Sequence, residues 1–426
     1  MLPLSVAHIL LPSIVGVSIL LMLMRPRGIA EVYWIGGGVA LLIVLRLVSF
    51  DLAGKAIARG SDVYFFLIGM MLLSELAREH GVFDWLSSVA VRSAKGSCSR
   101  LFALVYGAGT LVTIFMSNDA TAVVLTPAIL AAVRKARVEP LPYLFVCALI
   151  ANAASFVLPI SNPANLVVFH DGMPPLAHWL LSFGVPSILS ILSTYAIMRW
   201  IFRKELVRTI DYEVEEKQLD SHARLVLGGL AAMILVLLTA SSLGKDLGLP
   251  ACLAALVITT VVSIKARSNP LKLAMDISWQ TIVLVAGLFI MVDAVISMGA
   301  LTLTQSALLW VQQLAPATGA LVTSFAVGVA NNLVNNLPLG LIAGATLHAA
   351  HGKGLIANAV LIGVDLGPNL SVTGSLATIL WLLALRKEDL DVGFLKFLRV
   401  GVLVMPIALL LSVGSAILMN LVFKTR

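Results

Sequence analysis

Long apolar blocks separated by short charged clusters run the length of the chain, for example Ile9–Met24, Leu225–Ala240 and Thr281–Val292. Each approaches the ~20 residues that a helix needs to cross a ~30 Å hydrocarbon core. The pattern predicts spans at roughly 4–24, 28–49, 62–80, 142–168, 178–202, 224–243, 248–265, 279–298, 354–384 and 401–423. Two further apolar stretches, 101–130 and 319–347, carry polar clusters near their centres. Neither seems to offer an arm long enough to cross alone, so both are expected to be re-entrant hairpins. The fold class that follows is an all-α integral membrane protein with about ten transmembrane helices and two hairpins.

Composition agrees with this, since 59% of the 426 residues are hydrophobic and 12% charged, against roughly 45–50% and 25% in soluble domains. No cleavable leader is expected, because Arg25-Pro-Arg27 follows the first apolar block where small residues would mark a cleavage site. Cys98, Cys147 and Cys252 are too scattered for a disulfide framework or a zinc site. Cys147 and Cys252 are read as small core residues. No cofactor is implied.

The net charge of +7 calls for a basic cytoplasmic face rather than nucleic acid. With ten crossings and hairpins that enter and leave on one side, 22 of the 29 Lys and Arg residues fall inside and six outside, leaving Arg46 within a span. That is the positive-inside asymmetry, and it places both termini outside. Counting 101–130 as one crossing would separate Arg134, Lys135 and Arg137 from Arg92, Lys95 and Arg100. Two short full spans would fit the charges as well as a hairpin.

The most hydrophilic stretch, Arg203–His222 with Asp211-Tyr-Glu-Val-Glu-Glu-Lys, divides the chain. Residues 1–203 and 224–426 then hold five spans and one hairpin each, joined by a cytoplasmic linker at 204–223. The halves start on opposite faces, which makes them inverted-topology repeats, the architecture of transporters with a site at the repeat interface. Gly69, Glu75 and Gly81 match Gly287, Asp293 and Gly299 at an offset of 218. Asn118-Asp119 match Asn335-Asn336 at 217, and Asn152 matches Asp365 at 213.

Four polar clusters interrupt apolar sequence. The hairpins carry Ser117-Asn118-Asp119-Ala-Thr121 and Asn331-Asn332-Leu-Val-Asn335-Asn336-Leu-Pro338. The following spans carry Asn152-Ala-Ala-Ser155 with Pro159-Ile-Ser161-Asn162-Pro163-Ala-Asn165, and Asp365-Leu-Gly367-Pro368-Asn369 with Thr373-Gly374-Ser375. Pro and Gly in mid-span break the helical ladder, and non-helical backbone at this depth must be buried in protein or line a cavity. One shared cavity is therefore expected, with substrate-binding Ser117, Asn118, Asn152, Ser161, Asn162, Asn335, Asn336, Thr373 and Ser375. A carboxylate in the membrane costs at least ~2.5–3.5 kcal/mol and marks an ion or proton path, which singles out Asp119 and Asp365 for proton coupling. Glu75 lies near Arg78 and Asp293 near nothing basic, so pairing roles are expected to outweigh coupling for both. His170-Asp171 is read as solvated surface.

The run Val364-Asp-Leu-Gly-Pro-Asn-Leu-Ser-Val-Thr-Gly-Ser-Leu-Ala-Thr-Ile-Leu-Trp-Leu382 resembles the C-terminal signature of the arsenical pump membrane protein, the ArsB family of the wider ion-transporter superfamily. Ser117-Asn-Asp-Ala-Thr-Ala-Val-Val-Leu-Thr-Pro127 is similar to its first-hairpin motif. The resemblance implies export of arsenite and antimonite across a bacterial inner membrane in exchange for protons, in some members with a soluble ATPase subunit. Relatives in the superfamily carry sodium, carboxylates or silicic acid, which keeps a sodium/proton antiporter and a silicic acid exporter as alternatives. Arsenite at neutral pH is mainly the uncharged trihydroxide, which suits a ring of Asn, Ser and Thr. A dicarboxylate would want a cation, and no Lys or Arg lies in the four clusters. A channel would lack proton coupling, and an intramembrane enzyme would need a motif such as His-Glu-x-x-His, which the chain lacks.

Overall fold

The structure, a computed structural model, describes residues 4–170, 172–210 and 219–423. Part of the expected linker, residues 211–218, and Asp171 lie outside the described residues. Among those described, the one extended pairing is a single bridge between Ser97 and Thr209, which ties the start of the linker to the loop before residue 98.

The first half runs α1 (Leu4–Met24), α2 (Glu31–Val44), α3 (Phe50–Arg59), α4 (Ser61–Glu79), α5 (Val82–Ser93) and α6 (Cys98–Phe115). A one-turn α7 (Asn118–Ala120), a π-helical turn (Thr121–Leu125) and α8 (Thr126–Lys135) follow, then α9 (Leu141–Ala153), a 3-10 turn (Pro159–Ser161), α10 (Pro163–Val168) and α11 (Leu176–Ile201). The second half runs α12 (Ser221–Ser242), α13 (Gly248–Ala266), α14 (Pro270–Asp276), α15 (Trp279–Ser297), α16 (Ala300–Gln312), α17 (Pro316–Val334) and α18 (Asn336–Ala349). It ends with α19 (Leu355–Leu366), a 3-10 turn (Gly367–Leu370), α20 (Leu376–Arg386) and α21 (Phe394–Phe423).

Seven helices among the described residues are long and apolar enough to cross a membrane, and α3 with α4 makes an eighth if their 52° bend lies within one span. Their outward faces carry Ile188, Val257 and Leu410, all exposed, as a lipid-facing surface requires. Three expected crossings differ from this. The span at 28–49 is only the 14 residues of α2, about 21 Å, and Arg46 lies beyond its end with a φ of 55°. Spans 142–168 and 354–384 are each two helices joined by a 3-10 break. The arms of the two hairpin stretches also differ from expectation. α6 has 18 residues and α17 has 19, about 27–29 Å, so these first arms can cross alone.

The chain does fold back after α6. Gly109 and Leu125, equidistant from Ser117, come side by side, and the Thr113 and Thr121 hydroxyls meet at 2.8 Å. α4 and α15 end at Gly81 and Gly299, whose left-handed φ values of 68° and 91° stop the helix.

Element boundaries recur along the chain. α4 and α15 start and end 218 residues apart, α5 and α16 start 218 apart, and so do α6 and α17. The helices after the breaks, at Asn118 and Asn336, keep that offset, which pairs Asn118 with Asn336 rather than with Asn335 as the sequence match suggested. The packing is reciprocal too: α4 lies on α13 where α15 lies on α2.

Small residues let the broken helices approach. Gly363 and Gly367 on α19 lie against Ser324 and Gly328 on α17, and a Cβ at Gly367 would sit 2.5 Å from the Gly328 carbonyl oxygen, a close small-residue contact typical of membrane helices. Gly367→Ala should therefore lower the melting temperature in detergent by several degrees, at a cost of about 1–3 kcal/mol for overpacking. Gly107→Ala, where a Cβ meets nothing within 4 Å, should leave it unchanged or raise it. Equal shifts for both would show that this contact does not hold the helices together.

Candidate functional site

Each break exposes amides and carbonyls that the helix no longer pairs, and buried asparagines take them up. Asn331 donates to the carbonyls of Gly363 and Val364 at 2.9 and 2.7 Å, where α19 comes apart. Asn332 donates to Gly328 and Gly367 carbonyls and accepts from Ser371 at 2.7 Å. Thr373 donates to the Asn332 carbonyl at 2.9 Å, and the Asn336 amide donates to the Gly374 carbonyl at 3.0 Å. The second hairpin is thus sewn to the break in α19–α20. In the first half, Asn165 closes its own loop onto the carbonyls of Ser155, Leu158 and Pro159. Ser161 donates to the Ile114 carbonyl near the end of α6 at 3.0 Å.

The two breaks meet each other through side chains. Asn162, the cap of α10, donates to the Asp365 carboxylate at 2.8 Å. Ser375, the cap of α20, donates to the Asn152 carbonyl oxygen at 3.3 Å, and Asn152 donates to Asn369 at 3.0 Å. Asn152 and Asp365 are 213 residues apart, as are Asn162 and Ser375, so the two contacts exchange equivalent positions between the halves. All five residues are buried, and the second Asp365 oxygen has no hydrogen-bond partner among the described residues. Trp381 locks the neighbourhood, donating to the Leu144 carbonyl at 3.0 Å and packing on Phe145 and Phe397.

Beside this cluster lies a chamber of about 210 Å³ reaching the first break. Its polar lining is Ser74, Glu75, Ser117, Asp119, Asp276, Ser278 and Thr281, with no Lys or Arg. It shares Val123, Ser278, Thr281 and Leu380 with a wider vestibule of about 660 Å³, which is rimmed by Arg25, Glu31, Arg386, Lys387 and Glu388. The path therefore opens toward the face expected to be cytoplasmic. Ser117 caps α7 by accepting from the Ala120 amide, which aims the start of that helix and Asp119 at the chamber.

Of the residues predicted from sequence, Ser117 and Asp119 line the chamber. Asn152, Asn162, Asp365 and Ser375 form the separate buried cluster, and Ser161, Asn335, Asn336 and Thr373 hold the breaks. Asn118 is buried, its amide oxygen without a partner among the described residues, as is that of Asn336. Ser74, Asp276, Ser278 and Thr281 were not foreseen, because they sit at or near the ends of ordinary helices. Glu75 binds Arg78 on its own helix, one contact being 2.9 Å. Asp293 does have a basic partner: Arg59 lies 2.7 Å away, contributed by α3. His170 is partly buried and meets the Val167 carbonyl. Cys98, Cys147 and Cys252 are all buried.

The profile of the citrate transporter family, CitMHS, matches residues 12–365. The chain is similar to the arsenical pump membrane protein of Yersinia enterocolitica, at 24% identity over 92% of this chain and 94% of that one. It is likewise similar to the arsenical pump membrane protein of Escherichia coli, at 25% identity over 96% and 98%. A crystal structure of the YdaH transporter of Alcanivorax borkumensis shares the fold, with a TM-score of 0.56, 14% identity and 88% of each chain covered.

The second break is strained at Asn335, whose φ of 82° and ψ of 152° fall in a region nearly reserved for glycine, at about 1–3 kcal/mol. Its side chain offsets this by accepting from the Leu337 amide and donating to the Thr373 carbonyl. Detergent melting should rank wild type and Asn335→Gly well above Asn335→Ala, which keeps the strain and loses both bonds. An Ala variant as stable as the Gly variant would refute the strain.

Proposed function

The chain belongs to the citrate transporter (CitMHS) family and is a multi-pass secondary transporter, and from that premise we propose that it exports arsenite and antimonite, as neutral trihydroxides, in exchange for protons across a bacterial inner membrane. The observation that carries this reading is the chamber lining, four hydroxyls and three carboxylates with no cation. A tricarboxylate such as citrate would meet like charge there. One carboxylate pair 4 Å apart repels by about 4 kcal/mol at an effective dielectric of 20. An uncharged trihydroxide instead donates to carboxylates and exchanges hydrogen bonds with Ser117, Ser278 and Thr281. The near full-length similarity to two arsenical pump membrane proteins supports the same cargo.

Transport across two faces needs two arrangements of one site, and inverted repeats supply them. In this reading residues 1–203 and 224–426 are the repeats, 204–223 the linker, and 101–130 and 319–347 the hairpins. The recurring element offsets and the reciprocal Asn152–Ser375 and Asn162–Asp365 contacts support it. Asp119 exchanges protons with the chamber it lines, and Asp365, held by Asn162 behind that chamber, completes the path when the halves rearrange. The remaining predicted residues, Ser161, Asn335, Asn336 and Thr373, act by holding the breaks in shape. The proton gradient suffices as driving force, and a soluble ATPase subunit is an accessory.

A second reading rests on the same carboxylates. Asp119 and Asp276 without a cation in the lining would also suit a sodium ion, as in a sodium/proton antiporter.

Everted membrane vesicles washed free of soluble protein should accumulate arsenite when a pH gradient is imposed and lose the accumulation when it is collapsed. Excess citrate should not compete. Uptake that requires sodium instead, or fails without added ATP, would remove the proton-exchange reading. Asp119→Asn and Asp365→Asn should each fold but accumulate no more than uncoupled vesicles, and a variant that keeps full gradient dependence takes its carboxylate off the path. Replacing Cys98, Cys147 and Cys252 together by Ala should leave uptake within about twofold of wild type, since a buried cysteine acts as a small apolar residue. Loss of uptake in a normally expressed cysteine-free chain would overturn hydroxyl recognition in favour of thiolates.

A further inference from the structure

The offset of 218 residues sets each inner-chamber residue beside a counterpart in the other half. Glu75, Ser117 and Val123 correspond to Asp293, Asn335 and Leu341, and Ile277 corresponds to Arg59. The first set borders open space: Val123 is 40% exposed, and Glu75, Ser117 and Ile277 all line the chamber. The second set is packed shut, with Leu341 5% and Asp293 8% exposed.

One feature of the closed set has no parallel in the open one. Arg59 ends α3 immediately before the 52° bend into α4, and its guanidinium bonds Asp293 of α15 at 2.7 Å, across 234 residues of chain. Its side chain is half-exposed while that of Asp293 is 10% exposed, so the pair is reached by solvent only through the arginine. The edge of Tyr64 against Phe289 backs the contact. At the equivalent place in the open half stands Ile277, which can form no such bond, and Glu75 is instead held by Arg78 of its own helix. The open side is therefore free of a cross-helix ion pair and the closed side has one.

We infer that Arg59 and Asp293 latch shut a second, outward chamber, the release counterpart of the one beneath Ser117, lined by Asp293, Asn335 and Leu341 and taking the same uncharged polyhydroxyl cargo. This rests on the two-sided transport reading above. Opening it requires the Arg59 guanidinium to leave Asp293, which then faces the departing cargo as Glu75 faces the arriving one. The latch belongs to one state alone, so weakening it shifts the population toward the outward-open arrangement.

The test uses the cysteine-free chain with either Val123→Cys or Leu341→Cys, probed by a membrane-impermeant charged thiol reagent in right-side-out and everted vesicles. With the latch intact, Val123→Cys should react from the face that bears Arg386 and Lys387, and Leu341→Cys should be protected from both faces. Adding Arg59→Gln or Asp293→Asn should speed labelling of Leu341→Cys from the Arg59 face by about fivefold, the scale of a partly exposed ion pair, and slow labelling of Val123→Cys. The double swap Arg59→Asp with Asp293→Arg should restore protection. Two latch variants are used so that misfolding of one leaves the other decisive. Unchanged protection of Leu341→Cys in either correctly folded latch variant overturns the latch. A Val123→Cys chain that reacts from neither face overturns instead the two-sided reading on which the latch depends.

Discussion

A helix cannot be broken inside a membrane protein unless every amide and carbonyl it releases is paired, because no water is at hand to take them. This constraint shapes the molecule. The breaks at Ser117, Asn335, Pro159–Ser161 and Gly367–Leu370 are each closed by Asn, Ser or Thr side chains from a neighbouring segment, so the polar residues come in interlocking sets. Asn331 and Asn332 bind the carbonyls freed in α19, and the glycines at 363 and 367 let α17 approach closely enough for them to do so. Tight packing and polar satisfaction are one requirement here, since neither survives without the other.

A set of broken helices fixed in this way leaves a place where the backbone is already polar, and the chamber reaches it. Its function follows from what lines it. Hydroxyls and carboxylates without a balancing cation receive a neutral or positive guest more readily than an anion, so a family named for citrate accommodates a member whose chamber disfavours citrate. The division between the chamber and the Asn162–Asp365 cluster separates two tasks, with cargo meeting Ser117 and Asp119 and the second carboxylate lying behind a protein wall. The repeat is also unequal in its acids. Asp119 stands opposite Leu337 and Asp365 opposite Asn152, which gives each half one carboxylate that the other lacks, the condition for moving a proton in one direction while both halves handle cargo.

Much of this could be read along the chain. Apolar block length and the distribution of basic residues gave the membrane class, and α1, α4, α11, α12, α13 and α15 fall within a few residues of the expected spans, because hydropathy over ~20 residues is set by composition alone. The polar clusters also stood out, since Asn and Asp in hydrocarbon are costly wherever they sit. Harder to see were the helices α3, α5, α14 and α16, which are too short or too polar to register as crossings, and the lengths of α6 and α17, whose polar ends masked full-length first arms.

Sequence by itself determined that the chain is helical, membrane-spanning, and interrupted at four polar places, because burial in lipid leaves a run of residues few options. Tertiary structure alone decided which polar residues face one another. Whether Asp365 met the chamber or Asn162, whether Asp293 was bare or held by Arg59 from 234 residues away, and whether Asn118 matched Asn335 or Asn336 depended on how the two halves pack. Those contacts are fixed by close approach between segments far apart in the chain, and a residue's own neighbours in sequence carry no record of them.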